Sequence, residues 1–462
     1  MKTSKFIKKS SFVALCLLSQ MNVFGQDSLS VQVEAETTRL QDTLSLNLDQ
    51  AIKIALDQNP TIKVAGMEIT KANYAKKEAV SGLFPSIIAS GTYTRNLKKQ
   101  VMNFAGQTVT IGTDNTWNAG FSATLPLINV PLWQSIKLTS EAVMEKVEKA
   151  RSSQITQVST IIAAYYGILN AQDSYNVLEK SFNTANENLR ITKKRFEQGM
   201  TSEYDVIQAE VQVRNIQPTL ISIKNGIELA TLQLKVLMSM PSDYPIKVEG
   251  SLADYTQEAF EEVNINEVDT TLTDNPNIRL LDVSTTLLER QLKLAKANWY
   301  PMLSLSAVYQ WTSMNDNFDF GNYQVNPYST LGVTLSWPIF QGEARVYKQK
   351  QAQIALEEIE YTKEDTRRKL GMQLESSIDN IKVAVDQIES TKEAMVLAEK
   401  GLNISRKRYE VGSGSSLELI TSENSLTQAS LSYYQAIYNY IIAKNSMNEV
   451  LGNAYNQYLN NK

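Results

Sequence analysis

The chain has 462 residues, enough for two or three ordinary domains, yet only 19 Gly and 11 Pro punctuate it, which argues for long uninterrupted elements. Its 45 Lys and Arg against 49 Asp and Glu leave a net charge of −4, which argues against nucleic acid as a partner. It holds no His and a single Cys, Cys16, which excludes Ser-His-Asp and Cys-His catalysis, the usual zinc ligand sets and a disulfide framework.

Residues 1–25 carry Lys2, Lys5, Lys8 and Lys9 and no acid, then the apolar stretch SFVALCLL, then VFG before Gln26. This reads as a secretory signal peptide, with cleavage expected after Gly25. Leu15 stands where a lipid-anchored leader needs a small residue, so Cys16 reads as a thiol discarded with the leader. The remaining chain has a net charge of −8 and no thiol. Residues 26–44 form a polar lead. No later window approaches 18 consecutive apolar residues, so a membrane role would have to be played by strands.

From residue 45 the chain states one plan twice, over 45–239 and 265–452, with a non-repeated insert at 240–264 and a tail at 453–462. DQNP at 57–60 answers TDNP at 273–276, and Phe84-Pro85 answers Tyr300-Pro301, both at an offset of 216. TLPL at 124–127 answers SWPI at 336–339. RFEQGMTSEYDVIQAE at 195–210 answers RYEVGSGSSLELITSE at 408–423, with six of sixteen positions identical. Each copy reads as short helix, helix, strand, loop, strand, very long helix, turn, helix.

The strands are expected at about 86–97, 115–127, 302–313 and 329–340. In the third, Leu303, Leu305, Ala307, Tyr309 and Trp311 share one face, against Ser304, Ser306 and Gln310. In the second, Trp117, Ala119, Phe121, Ala123 and Leu125 oppose Asn118, Gly120, Ser122 and Thr124. A small, polar opposing face suits a water-filled barrel. Trp117 and Trp311 fall at the loop ends of their strands and Trp299 and Trp337 at the helix ends. Strand from Trp299 to Trp311 would rise about 30 Å when tilted, the separation of two aromatic girdles.

The long helices, 133–198 and 341–410, would each span about 100 Å. Apolar steps of 3 and 4, as at Ile155, Val158, Ile162, Tyr165 and Leu169, predict coiled-coil packing. The shorter helices, 60–82 and 203–239, would stack end to end to match one long helix. Four strands cannot close a membrane barrel and two copies would leave no lumen, so a trimer with twelve strands is expected.

Each turn between a long helix and its return helix has readable chemistry. Arg195 and Arg408 sit at helix C-termini, where positive charge is favoured, and Gly199 and Gly412 supply the left-handed residue that ends a helix. Ser202 and Ser415 cap the next helix, and Asp205 and Glu418, three residues on, suit capping boxes.

In their order and spacing, the tandem copies, the Asn59-Pro60 and Asn275-Pro276 helix starts, the aromatic-Pro strand entries and the Arg-aromatic-x-x-Gly turns resemble the TolC-like outer-membrane efflux family. The resemblance implies a mainly α chain with a β-barrel part: a homotrimer whose twelve-stranded barrel sits in outer-membrane lipid and continues as an α-helical tunnel through the periplasm of a Gram-negative cell. It implies no enzyme activity, cofactor or metal. Its partners would be a periplasmic adaptor protein and an inner-membrane pump, in efflux or type I secretion. The insert 240–264 and the tail would form a belt around the tunnel.

By the same resemblance the two turns are periplasmic tips that dock the adaptor, with Phe196 and Tyr409 beside the arginines, and Asp205 and Glu418 form carboxylate rings at the pore constriction. Crowding like charges in such rings raises their pKa values. The family's second tip acid is absent, since Gln208 and Thr421 stand there; Thr201 and Gly414, two after each glycine, are uncharged too. The loops 97–114 and 314–328, with Lys98, Lys99, Asp114, Asp316 and Asp319, would face the cell exterior. Two other readings are a periplasmic structural or adaptor coiled coil without a pore, which leaves the alternating strands unexplained, and a carboxylate enzyme, for which no acid pair stands at a plausible site.

Overall fold

The computed structural model describes residues 43–453 apart from Ala105, 256–270, 319–320 and 322–323. The leader, the lead up to residue 42, residues 256–264 of the insert, Asp319 and the tail from 454 lie outside the described residues. The first copy runs β1 (Leu44–Leu46), α1 (Leu48–Gln58), α2 (Pro60–Ser81), β2 (Ser86–Arg95), β3 (Gln100–Phe104), β4 (Gln107–Ile111), β5 (Asn115–Ile128), α3 (Val130–Glu197) and α4 (Glu203–Leu237). After β6 (Ile246–Val248) and a 3-10 turn at Leu252–Tyr255, the second copy runs α5 (Pro276–Ala297), β7 (Met302–Asn315), β8 (Val325–Ser336), α6 (Ala344–Glu410) and α7 (Ser416–Leu451).

β2, β5, β7 and β8 form one antiparallel sheet in that order. The register carries the alternation across all four strands. Phe121 lies opposite Ala89 and Tyr309, and Ala307 opposite Leu331, while Ser122 and the Ser306–Gly332 pair lie on the other face, where Ile88 and Val308, the partners of Ser122, are apolar exceptions. Gly120 is forced by the close approach of β7, since a Cβ there would stand 2.5 Å from the Tyr309 carbonyl oxygen. The sheet stays open at both edges, where every residue of β2 and β8 is exposed. Pro327 lies on β8, an edge position that tolerates a residue without an N–H.

Two local features differ from the expectation. The 97–114 loop contains a hairpin of its own, β3 with β4, whose five-residue strands are short and, in QVMNF, lack a clean alternation that would announce them in the sequence. The last strand spans Val325–Ser336 rather than 329–340; Pro338 has no N–H for a ladder, so Trp337 and Ile339 follow the strand instead of lying in it.

Each strand of the sheet joins a helix, and α2, α3, α5 and α6 stand side by side in the order of their strands. The two long helices have 68 and 67 residues, about 100 Å each. The neighbouring columns are made of two helices. Asn59 caps α2 by accepting from Thr61 N–H (2.8 Å), and its Nδ2 donates to the Leu237 carbonyl at the end of α4 (2.8 Å). Asn275 repeats the device: it accepts from Asn277 N–H (2.8 Å) and donates to the Val450 carbonyl at the end of α7 (2.6 Å). The N-terminal amides of one helix and the C-terminal carbonyls of another are thus satisfied at one joint.

The main core lies at mid-height, around these joints. It gathers Ala51, Ile52 and Ala55 of α1, Val158 to Leu169 of α3, Leu234 and Met238, Leu374 to Ile388 of α6, and Tyr433 to Met447 of α7. β1 pairs in parallel with β6 beside it. Buried Tyr165 ties this belt down, donating to the Glu249 carbonyl (2.7 Å), and burial pushes its hydroxyl up to about 12. Toward the 198–202 and 411–415 turns the described residues form two small clusters, Ala185 with Val213 and Ile216, and Leu402 with Tyr409 and Leu419.

Candidate functional site: two turns and a two-faced sheet

The first turn ends α3 because Gly199 takes φ +72°. Met200 N–H donates to the Arg195 carbonyl (2.8 Å) and Gly199 N–H to that of Phe196 (2.9 Å), the hydrogen bonds of a Schellman end. Ser202 Oγ then accepts from Asp205 N–H (3.2 Å), and Asp205 Oδ2 accepts from Ser202 N–H (3.2 Å), Ser202 Oγ (2.7 Å) and Thr201 Oγ1 (2.8 Å). The capping box is complete. The Ser202 and Thr201 hydroxyls hold the Asp205 carboxyl below its usual range within the single chain.

The second turn is wider. Gly412 takes φ +77°, and both Ser413 and Gly414 N–H donate to the Arg408 carbonyl (2.9 and 3.0 Å). Ser415 Oγ accepts from Glu418 N–H (3.1 Å), but the Glu418 carboxylate does not return to the cap. It accepts instead from Arg408 Nη1 at 2.5 Å. The divergence follows from two residues. Gly414 has no hydroxyl where Thr201 donates to Asp205, and Arg408 is free to turn to its own hairpin while Arg195 is held elsewhere.

Arg195 leaves its hairpin and crosses to the other. Its guanidinium lies 4.5 Å from the centre of the Tyr409 ring, and its Nη1 donates to the Tyr409 carbonyl (3.2 Å). Tyr409 is 8 % exposed and shares its hydroxyl with Thr192 Oγ1 (3.3 Å), whereas its counterpart Phe196 is 45 % exposed. The structure therefore brings Arg195, Thr192 and Tyr409 together, and separately Arg408 with Glu418; Phe196 stays outside both groups.

On the sheet, Trp117 stacks on Tyr93 (centroids 4.4 Å) and Trp311 meets Tyr309 edge-on (4.9 Å), both near the loop end. At the helix end Trp337 Nε1–H donates to the Trp299 carbonyl (3.2 Å), and the Arg345 guanidinium covers the Trp299 ring at 4.2 Å. Beyond the loop end, Lys99 beside the β3–β4 hairpin pairs with Asp316 of the β7–β8 connection (2.7 Å) and with Asp114 (3.3 Å).

Sequence reasoning did not find the reach of Arg195 or the second bond of Asn59 and Asn275. Asn-Pro signals a helix start, but the partner carbonyl lies 178 residues away in one copy and 175 in the other, and no local pattern announces it.

A sheet with one apolar and one hydroxyl-rich face, tryptophans at both ends and a helix continuing every strand is a sector of a membrane β-barrel with an α-helical extension. Among the described residues no helix is long and apolar enough to cross a membrane. The chain belongs to the outer membrane efflux protein family, whose profile matches residues 51–239 and 268–453, once for each copy. It is similar to the outer membrane protein TolC of Escherichia coli, 24 % identical over 424 residues that cover 88 % of this chain and 82 % of that one. It is also similar to the alkaline protease secretion protein AprF of Pseudomonas aeruginosa, 20 % identical over 414 residues, 87 % of this chain and 84 % of that protein. The fold matches the CmeC outer membrane channel of Campylobacter jejuni with a TM-score of 0.72 at 17 % identity, over 88 % of this chain and 86 % of CmeC. It matches VceC of Vibrio cholerae with a TM-score of 0.71 at 16 % identity, over 88 % and 96 %. The protein is thus an outer-membrane channel that extends into the periplasm.

Proposed function

We propose that three copies of the mature chain close their sheets into a twelve-stranded barrel in outer-membrane lipid. The chain then serves as a passive exit duct for substrates delivered by an inner-membrane pump through a periplasmic adaptor. One observation carries this reading: the four-stranded sheet has an apolar and a polar face and leaves both edge strands unpaired. An open edge pairs with another strand, and pairing β8 of one copy with β2 of the next around a threefold axis removes all edges at once. The side-by-side columns α2, α3, α5 and α6 would close in the same way into a twelve-helix tunnel below.

In this assembly the 198–202 and 411–415 turns are the tips that meet the adaptor, with Arg195, Phe196, Gly199, Ser202, Arg408, Tyr409, Gly412 and Ser415 forming them. Asp205 and Glu418 would each recur three times around the closed mouth. Trp117 and Trp311 would sit at the outer lipid interface, and Trp299 and Trp337 at the inner one.

The test is the mass of the detergent-solubilised protein together with conductance in planar bilayers: three chains and discrete conducting steps are expected. A stable monomer that still conducts would overturn the reading. Orientation is checked with cysteines at Asn317 and Ser413, labelled with an impermeant thiol reagent on intact cells. Only Asn317→Cys should react.

A further inference from the structure

Between the core at mid-height and the tips, the seam joining the α3–α4 hairpin to the α6–α7 hairpin is polar. Thr427 Oγ1 donates to Ser181 Oγ (3.0 Å), Gln212 Nε2 to Asn424 Oδ1 (2.5 Å), and Thr192 meets Tyr409. Among the described residues of this seam one carboxylate is buried: Glu423 is 5 % exposed. It lines a small, partly open cavity walled by all four helices. The side chain of Asn188 donates to its Oε1, and no cation pairs with it.

The groups that face it are few. α3 presents the neutral amide of Asn188 and the hydroxyl of Thr192, α4 presents the amide of Gln212, and α6 presents the Tyr409 phenol. Arg406 of α6 attracts the carboxylate through space, but no ion pair joins them. A carboxylate 5 % exposed with one neutral donor is costly when ionised. Burial accordingly pushes the Glu423 carboxyl up, and Asn188 and Arg406 offset this only in part.

Resting on the reading above, in which these turns are the mouth of the duct, we propose that Glu423 is a proton-operated latch on the seam between the two hairpins. Protonated, it lets the hairpins close on each other. Ionised, it places an unpaired charge in their contact and favours separation, which admits water to the carboxylate. The direction follows from linkage: the closed seam binds the proton more tightly than the open one. The latch is fully engaged below the ordinary glutamate range and is lost as pH rises through the raised value of the closed seam.

The mid-height core holds the hairpins together above this level, so the latch acts on the tip end alone. The tip acids Asp205 and Glu418 titrate too, and an Asp205→Asn, Glu418→Gln background removes those two, while the exposed Glu197, Glu203 and Glu410 are common to every variant compared. In that background, conductance in planar bilayers from pH about 4 to about 8 should rise through one transition. Adding Glu423→Gln, which keeps the contact with Asn188, should abolish the transition and hold conductance at its acidic level. Adding Asn188→Asp instead should move the transition toward higher pH by about one unit, since a second carboxylate faces the first.

The same variants are followed by thermal unfolding. Glu423→Gln should raise the midpoint at neutral pH and leave it unchanged at acidic pH. If the Gln variant keeps the parent's pH dependence, or Asn188→Asp leaves the transition in place, the latch is overturned. Should no variant conduct at any pH, the duct reading fails instead, and the pH dependence of the thermal midpoints still decides the latch.

Discussion

Arg195 of the first copy lies on the ring of Tyr409 of the second, 4.5 Å from its centre, and donates to that residue's carbonyl at 3.2 Å. One side chain thereby couples the end of α3 to the end of α6, and it also meets the last carbonyls of α6, where positive charge is favoured.

Removing this arginine should loosen the tips. Arg195→Ala loses a cation–π contact and a charge-assisted hydrogen bond, together about 1–3 kcal/mol. Arg195→Lys should recover part, because a point charge cannot both stack and fork. Raised conductance in planar bilayers, with Ala above Lys above wild type, is the expected order. Equal values for all three would leave the contact without mechanical weight.

The two capping acids should separate under mutation and acid. Asp205 has its carboxyl held below the usual range by Ser202 and Thr201, so its stabilisation is present above the ordinary aspartate range and lost as pH falls through the lowered value. Asp205→Ala should cost about 1 kcal/mol of helix start. Glu418, paired with Arg408 on an exposed surface, should lose its contribution in high salt, whereas the Asp205 cap should not. Hydrogen exchange of the first turns of α4 and α7 reads both effects. In single-channel recordings Glu418→Gln should reduce cation selectivity if the rings line the mouth. A Gln variant that conducts like wild type would restrict Glu418 to its role in the hairpin.

At the helix joints, Asn59→Ala and Asn275→Ala each remove a cap and a carbonyl partner, about 2 kcal/mol from the two losses. Asn→Asp keeps the acceptor and loses the donor, so it should lie between. Gly452→Ala should be at least as damaging, since φ is +74° and a Cβ would stand 2.3 Å from the Asp274 carbonyl oxygen. Thermal unfolding of the detergent-solubilised protein measures all five.

The sheet predicts opposite outcomes for neighbouring residues. Val333→Arg, on the apolar face, should oppose membrane insertion by about 2–4 kcal/mol if it lies near mid-depth, while Thr334→Arg, one residue on, should insert and alter ion selectivity. Outer-membrane fractionation followed by conductance separates the two. Failure of both to insert would mean that neither face is a water-filled interior.

The helices, strands and their two faces were legible because period and burial are local properties: Trp117, Phe121, Tyr309 and Trp311 announce a face from spacing alone. The turns were legible for the same reason, since Gly199 and Gly412 mark helix ends and Ser202 and Ser415 the starts that follow. What was not legible depends on partners far along the chain. Nothing near Arg195 names Tyr409, nothing in Asn-Pro names Leu237 or Val450, and Glu423 sits in a quoted motif yet reads as an ordinary surface acid until Asn188 of the other hairpin covers it. Asp205 and Glu418 read alike in sequence and part company in space, because the residues that decide between them, Thr201 and Gly414, differ by one hydroxyl-bearing side chain.

That divergence has a consequence for symmetry. Six hairpins cut from one short gene would be forced to carry six identical contacts, each arginine either crossing or folding back. Fusing two copies frees them to differ, so Arg195 crosses to its neighbour while Arg408 folds back on its own hairpin. In the proposed trimer three of the six seams of the tip ring would then carry the Arg195 crossing. The three seams within chains and the three between chains are then built differently, a distinction that a ring of six identical hairpins could not encode in its sequence.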